Sequence, residues 1–364
     1  MVLTQDELVV IWLDLFEGLT IKRKYEVLNY YKTSKDLFNN FSKDKNIFNR
    51  FIDSTLFAKM SYALDEDFLK KQVMQYEKMN ISVVTLNSKN YPKLLKEVAT
   101  PPLVLYCKGN IELLNTECFA IVGTRRATRY GKKVTNNFTK QLVHNDFTII
   151  SGMADGIDTQ AHRTALSEGG KTIAVLGGGV NEIYPSSNIG LSKEIVNKGL
   201  LISEYKPDQR PVGFHFPVRN RIIAGISSGV LITEGSLKSG SMHTKEYALE
   251  ANRNLFIVPG NIDSTQSEGC NAVIKSLQGC IVTTPDDILE AYGKTNNYVS
   301  HQKKTSFQLS IDEQTIINAI GKHEAHYSHL LEKTNLTSKT LNSLLTTMQV
   351  RGIIKKLPGN IYSI

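Results

Sequence analysis

The sequence predicts an α/β protein: a parallel sheet covered by helices on both faces, with a small helical domain before it and a small winged helix-turn-helix-like tail after it. Two observations predict the sheet. Short apolar runs recur near Phe119–Val122, Phe147–Ser151, Thr172–Leu176, Leu200–Glu204, Val230–Thr233, Leu255–Val258 and Ile281–Thr283, and stretches with helical spacing fill most gaps between them. Runs that stay apolar instead of alternating belong to strands buried on both faces, and intervening helices make such strands parallel. A third observation points to function: turn glycines cluster at the strand ends, where ligands of such sheets bind near a topological switch point.

The domains follow in chain order. Residues 1–78 read as short helices, with apolar faces at Leu8, Ile11, Trp12 and Leu15, at Val27, Leu28 and Tyr31, and at Phe68, Val73 and Tyr76. Residues 79–118 connect, with strands at Ile81–Leu86 and Leu103–Cys107 punctuated by Tyr91-Pro92 and Pro101-Pro102. The sheet core closes the span 79–292. Residues 293–307 read as a flexible basic linker with Lys294, Lys303 and Lys304. In the tail, 308–364, helices are expected at Ile311–Ile320, Tyr327–Lys333 and Ser338–Gln349, then a hairpin around Pro358-Gly359. Its recognition-helix candidate carries one basic residue, Lys339, so protein docking suits it at least as well as reading DNA.

Composition narrows the class. The 364 residues suit two or three domains, and no run approaches the ~20 apolar residues of a membrane span. Cys107, Cys118, Cys270 and Cys280 never form C-x-x-C, which fits reduced thiols in a cytoplasmic protein, with neither disulfide nor zinc. The net charge of +8 is uneven: residues 1–78 hold 12 basic and 12 acidic residues, residues 79–292 hold 22 and 19. From Cys118 to Asn145 there is no acid, yet Arg125, Arg126, Arg129, Lys132, Lys133 and Lys140 all fall there.

That stretch carries the chemistry. An apolar strand, Gly123, and a helical pattern from Val134 form a strand–turn–helix corner, where backbone N–H groups and the helix dipole face an anion. Gly123 and Gly131 are eight apart, so the dinucleotide G-x-G-x-x-G is excluded, and no G-K-[ST] makes a P-loop. So many cations suit a polyanion better than a single phosphate. Arg125 stands where a guanidinium can take a phosphate bidentately. Arg126, Tyr130 and Gly131 extend this corner, Thr124 adds a hydroxyl, and Ser151-Gly152 ends the next strand. Ser239-Gly240-Ser241 offers a second anion site at a helix start. Arg219, Asn220 and Arg221 supply further polar contacts; two arginines two residues apart on a helix point to different faces. Phe214 and Phe216 flank them, as stacking platforms for bases or as core. Asp158 reads as the cap of the helix beginning there, Asp155 as a turn residue, and His162 as a buried hydrogen-bonded histidine. His323, His326 and His329 read as solvated histidines, so no metal or other cofactor is expected.

At Gly123-Thr124-Arg125 with Tyr130-Gly131, Ser151-Gly152-Met153-Ala154 with Gly156-Ile157-Asp158, Arg219-Asn220-Arg221-Ile222-Ile223-Ala224, Gly240-Ser241 with Thr244, and Pro259-Gly260, the chain resembles the bacterial DNA-processing protein family, DprA or Smf. The resemblance covers nearly the whole length. It implies a helical, SAM-like N-terminal domain, an extended Rossmann-like core and a winged-helix-like tail. It also implies a non-enzymatic protein that binds and protects single-stranded DNA, forms a homodimer through the core, and loads the RecA recombinase during natural transformation. The family more often has serine at Thr124, and lysine at Ser186 or Ser187. The competing class is a nucleotide-processing enzyme of phosphoribohydrolase type on a related scaffold. Glu234-Gly235-Ser236 lacks that enzyme's Pro-Gly-Gly layout, and release of base from nucleoside monophosphates would distinguish the two.

Overall fold

A computed structural model of the chain describes residues 3–16, 18–294, 309–321, 324–350, 353–357 and 359–363. The expected linker lies outside them from residue 295 onward, as do His323 and Pro358. The chain divides into two compact units, residues 1–298 and 299–364.

The first unit is built on a nine-stranded sheet: β1 (Ser82–Thr85), β2 (Val104–Gly109), β3 (Cys118–Val122), β4 (Thr148–Ser151), β5 (Thr172–Val175), β6 (Leu200–Ser203), β7 (Gly229–Ile232), β8 (Asn254–Ile257) and β9 (Cys280–Ile281), in the order β1-β2-β6-β5-β4-β3-β7-β8-β9. From β6 to β9 all pairings are parallel; β2 is antiparallel to β6 and β1 to β2. The sheet is therefore mostly parallel, with an antiparallel edge that needs no crossover helix. The chain winds one way from β3 through β4, β5 and β6, then returns to β7 on the other side of β3. The crevice between β3 and β7 is the switch point.

Residues of β3 show why the strands are apolar throughout. Phe119 and Ile121 pack on one face with Phe138, Leu142 and Ile157. Ala120 and Val122 pack on the other with Ile222, Ile223 and Ala248. Alternate side chains meet different helix layers, so both must be apolar.

The N-terminal segment contains helices at Gln5–Asp14, Ile21–Tyr30, Ser34–Asn40, Lys45–Phe48, Ser54–Ala63 and Glu66–Lys78. The first is closed by a capping box: Thr4 accepts from the Glu7 N–H, and the Glu7 carboxylate accepts from the Thr4 N–H at 2.9 Å. Trp12 is fully buried, edge-on to Phe41 with ring centroids 4.7 Å apart, and its indole N–H donates to the Met60 carbonyl at 2.8 Å. These helices share one core with Val83, Val104, Tyr106 and Leu201 of the sheet. Polar ties reinforce the packing: the Tyr106 hydroxyl donates to Asp14 at 2.8 Å and the Lys206 ammonium to the Leu15 carbonyl at 2.9 Å. No helix among the described residues is long and apolar enough to cross a membrane.

The second unit holds helices Ile311–Ile320, Tyr327–Thr334 and Ser338–Val350 and the strands β10 (Ala325–His326), β11 (Lys355–Leu357) and β12 (Ile361–Ser363). Its antiparallel sheet runs β10-β12-β11. Ile316, Leu330, Leu341, Leu345, Met348 and Tyr362 fill its core. Asn335, left-handed at φ 52°, separates the second and third helices, and His326 caps the second by accepting from the Ser328 N–H at 3.3 Å.

Candidate nucleic-acid interface

β3 delivers Gly123 to the switch point in very close quarters. A Cβ there would lie 2.6 Å from Ile157 Cγ1 and 2.7 Å from the Glu234 carbonyl oxygen, so the position admits only glycine. The Thr124 N–H donates to that same carbonyl at 2.7 Å, and its hydroxyl donates to Gln266 Oε1 at 2.7 Å. The backbone is thus pinned on both sides, and Arg125 and Arg126 project exposed from it. The helix Arg129–His144 starts just beyond, capped by Thr128, which accepts from the Gly131 N–H at 3.1 Å.

The acid at this corner is held by hydrogen bonds, away from the cleft lining. Glu234, at the end of β7, is 2% exposed; its carboxylate accepts from the Thr128 N–H at 2.9 Å and the Thr128 hydroxyl at 2.6 Å. A Cβ at Gly131 would run into that carboxylate, so Gly131 packs against it as part of the helix start.

The result is a cleft of about 410 Å³. Gly123, Thr124, Arg125 and Arg126 form one wall; Ser239, Gly240 and Ser241 form another; Phe216, Arg219 and Asn220 come from the helix His215–Ile226. Lys238 and Gln266 add polar groups, and no Asp or Glu among the described residues lines it. Neither Lys238 nor Gln266 stood out in the sequence. Lys238 could have been found as the cation inside the Gly235–Gly240 turn; Gln266 had no signal. Arg125 lies over the Phe216 ring, 5.6 Å from its centroid, and Phe216 in turn packs near Tyr184, with centroids 5.4 Å apart.

Arg219 forms the floor and is only 4% exposed. One guanidinium nitrogen donates to the carbonyls of Gly152 (2.8 Å) and Val175; Nε donates to Asn220 Oδ1 at 3.1 Å, and Asn220 Nδ2 donates to the Gly240 carbonyl at 3.2 Å. A single side chain therefore ties together the ends of β4 and β5 and, through Asn220, the Ser239–Ser241 turn. Burial pushes Arg219 down to about 10; Asp158 pulls it up, and the like charge of Arg125 lowers it further. It remains protonated at neutral pH and adds its charge to the cleft from beneath.

Asp158 departs from expectation. The position before the helix Ile157–Ser167 belongs to Gly156, with φ of +82°, close against the Arg125 carbonyl, where a side chain would be strained. Asp158 falls inside the first turn, buried, and accepts from the Gly152 N–H at 3.0 Å. Burial raises its pKa while the Arg219 charge lowers it. His162, on the same helix, is fully buried. Its Nδ1 lies 2.7 Å from the Thr172 hydroxyl, which itself donates to the Ile149 carbonyl. The proton of that pair therefore sits on Nδ1. Nε2 is left without a hydrogen bond, and burial, with the Arg219 charge, pushes the ring down to about 3.

Several sequence candidates lie away from the cleft. Ser151 is fully buried and donates to the Ile121 carbonyl at 2.7 Å. Gly152 is buried beneath Arg219, where a Cβ would come within 2.7 Å of the guanidinium and of Asp158 Oδ2. Arg221 points to the opposite side of its helix and pairs with the half-buried Glu204, whose carboxyl is raised by desolvation and lowered by Arg221. Phe214 is 67% exposed and stands edge-on to His215, centroids 4.5 Å apart. Tyr130 is 46% exposed, beside a neighbouring cavity, with its hydroxyl donating to the Pro259 carbonyl at 2.8 Å.

The fold and site define an α/β protein with a mostly parallel sheet and, at its switch point, a cleft lined by cations and by no Asp or Glu among the described residues. The chain belongs to the DNA recombination-mediator protein A family, whose model matches residues 82–293. It is similar to the DNA processing protein DprA of Bacillus subtilis, 38% identical over 230 residues, 63% of this chain and 77% of that protein. It is also similar to that of Streptococcus pneumoniae, 39% identical over 238 residues, 65% and 82%. Protein Smf of Escherichia coli is 34% identical over 292 residues, 78% and 77%. Among solved structures, DprA of Streptococcus pneumoniae superposes with a TM-score of 0.68 at 34% identity, covering 80% of this chain and 98% of that one. A Helicobacter pylori structure, described as showing the single-stranded DNA binding mode of DNA processing protein A, superposes with a TM-score of 0.53 at 33% identity, covering 58% and 95%.

Proposed function

We propose that this chain binds single-stranded DNA at the switch-point cleft. The carrying observation is the cleft itself: Arg125, Arg126, Lys238 and the buried Arg219 surround a space from which carboxylates are absent, and hydroxyls of Thr124, Ser239 and Ser241 add polar contacts. Phosphates take the cations, while the exposed Phe214 and the partly exposed Phe216 offer faces to unpaired bases. The relative whose structure is described by its single-stranded DNA binding mode supports the same ligand. On this reading the protein works without catalysis, in the cytoplasm, as a homodimer that protects single strands and loads the RecA recombinase in recombination and natural transformation. The C-terminal unit acts as a winged-helix-like docking module. The family membership supports these roles.

The test is a gel-shift series with single- and double-stranded oligonucleotides, on the whole chain and on residues 79–292. Preference for single strands, retained by the shorter chain, is expected; equal affinity for both DNA forms, or loss of binding by a folded 79–292 chain, would overturn the assignment. Addition of RecA filament assays and light scattering tests the loading role and the dimer.

A further inference from the structure

A second cavity, of about 520 Å³, adjoins the cleft. Thr128, Tyr130, Glu234, Pro259, Ser264 and Ser267 are among its lining residues. The two spaces share a wall. Thr124 and Gln266, which line the cleft, are bonded to each other, and the Thr124 N–H bonds the carbonyl of Glu234, which lines the second cavity.

Their chemistry is opposite. Among the described residues no lysine or arginine lines the second cavity, and the charged group there is the Glu234 carboxylate, already engaged by Thr128. A phosphate there would meet a like charge and no cation, so the cavity disfavours the anionic half of a nucleotide and suits an uncharged aromatic ring. Tyr130 supplies an aromatic wall held in one orientation, anchored at one end by the helix Arg129–His144 and at the other by its hydrogen bond to Pro259. Hydroxyls of Ser264 and Ser267 and the amide of Asn261 add hydrogen-bonding groups.

We propose that this cavity is a nucleobase subsite: a base of the strand whose phosphates cross the cleft turns into it and stacks on the Tyr130 ring, with its polar edge toward Ser264 and Ser267. The proposal rests on the single-strand reading above. A cationic groove beside a neutral aromatic pocket matches the two halves of a nucleotide, and stacking is open to any base because every base has a π-face.

The experiment is fluorescence anisotropy of labelled oligo-dT at several salt concentrations, with the full chain, Tyr130→Ala, Tyr130→Phe and Arg125→Ala, alongside melting curves. A stacked base contributes about 1–3 kcal/mol, so Tyr130→Ala should bind roughly 5- to 150-fold more weakly. Its salt dependence should match the parent, because no phosphate contact is lost, and Tyr130→Phe should stay within about twofold of the parent since the ring remains. Ultraviolet crosslinking of a 5-iodouracil oligonucleotide to the unaltered chain, read by mass spectrometry, should mark Tyr130. Parental affinity in Tyr130→Ala, a salt slope flattened as in Arg125→Ala, or crosslinks confined to other residues would each overturn the subsite. Absence of binding by the parent, or parental binding by Arg125→Ala, would instead bring down the single-strand assignment at the cleft.

Discussion

Arg219 and Gly152 hold one another in place. The guanidinium donates to the Gly152 carbonyl at 2.8 Å, while the Gly152 N–H donates to Asp158 at 3.0 Å, and the missing side chain at Gly152 leaves the room both groups occupy. An arginine that the sequence presents as a DNA contact is, in the fold, a strut in the floor of the cleft.

Removing that strut should be costly in a particular way. Arg219→Leu strips the donors from two carbonyls and leaves Asp158 buried without its countercharge, a loss of about 3–5 kcal/mol. Replacing both members, Arg219→Leu with Asp158→Leu, should cost less than the sum of the single changes, because the two buried charges offset one another electrostatically and neither is then left alone. Urea denaturation of the four proteins measures this; strict additivity would show that the two residues do not act as a pair.

Arg125 should behave differently. It is exposed, above Phe216, so Arg125→Ala should melt with the parent. Its affinity for oligo-dT should fall, and the log–log salt slope should flatten by about 0.7, the share of one single-strand phosphate contact. Base sequence should make no difference to the loss, since phosphates carry no sequence information. An unchanged slope and affinity would remove Arg125 from the site.

Phe214 is the complementary case. With a ring 67% exposed, it contributes little to the core, so Phe214→Ala should leave melting unchanged. Stacking loss should weaken single-strand binding by about 1–3 kcal/mol with an unchanged salt slope. Anisotropy titrations decide it; a parental affinity would assign the ring to the surface alone.

His162 sets a pH dependence. Its pKa is about 3 in the fold against 6.5 for the free side chain. Below 6.5 the unfolded chain takes up a proton that the native chain refuses, so this contribution to stability is complete above pH 6.5 and is lost progressively as pH falls toward 3. The slope is about 1.4 kcal/mol per pH unit, or roughly 2 kcal/mol between pH 6.5 and 5. Burial raises Asp158 and Glu204, which works in the opposite sense: a carboxyl with a raised pKa favours the fold more as pH falls. Comparison with His162→Asn isolates the histidine: between pH 7 and 5 the parent should lose more stability than the variant, and parallel curves would refute the assignment.

What was legible in the sequence has a physical pattern. The strands were readable because both faces are buried and the runs had to be apolar, as Phe119 to Val122 show from their split between two cores. The Gly123 corner was readable because a glycine turn after such a run has few other uses. The helices Ser34–Asn40 and Ser54–Ala63 were missed: the first is short and buries only Leu37, and the second buries Phe57, Met60 and Ala63, a stripe too sparse to stand out. The division of labour between Arg219 and Arg221 was not readable either, because whether a guanidinium meets solvent or a carbonyl depends on which loops close over it. Asp158 misled for the same reason: its carboxylate serves the neighbouring loop at Gly152 instead of its own helix end. Lys238 and Gln266 are single polar residues in loops, where no periodicity marks them.

The wall between Thr124 and Gln266 joins residues 142 positions apart in the chain. At about 5–20 residues per second of synthesis, Gln266 follows Thr124 by roughly 7–28 seconds. For most of that interval the emerging chain carries its cluster of arginines with no opposite wall, because β7, the Ser239–Ser241 turn and β8 emerge only in its later part and Gln266 comes last. Parallel pairings between distant segments form late because the loops between them must close first. On the proposed reading, single-strand capture is therefore a property of the finished chain, and a product truncated before β7 would present the basic corner alone: able to attract nucleic acid electrostatically, without the second wall that would hold it.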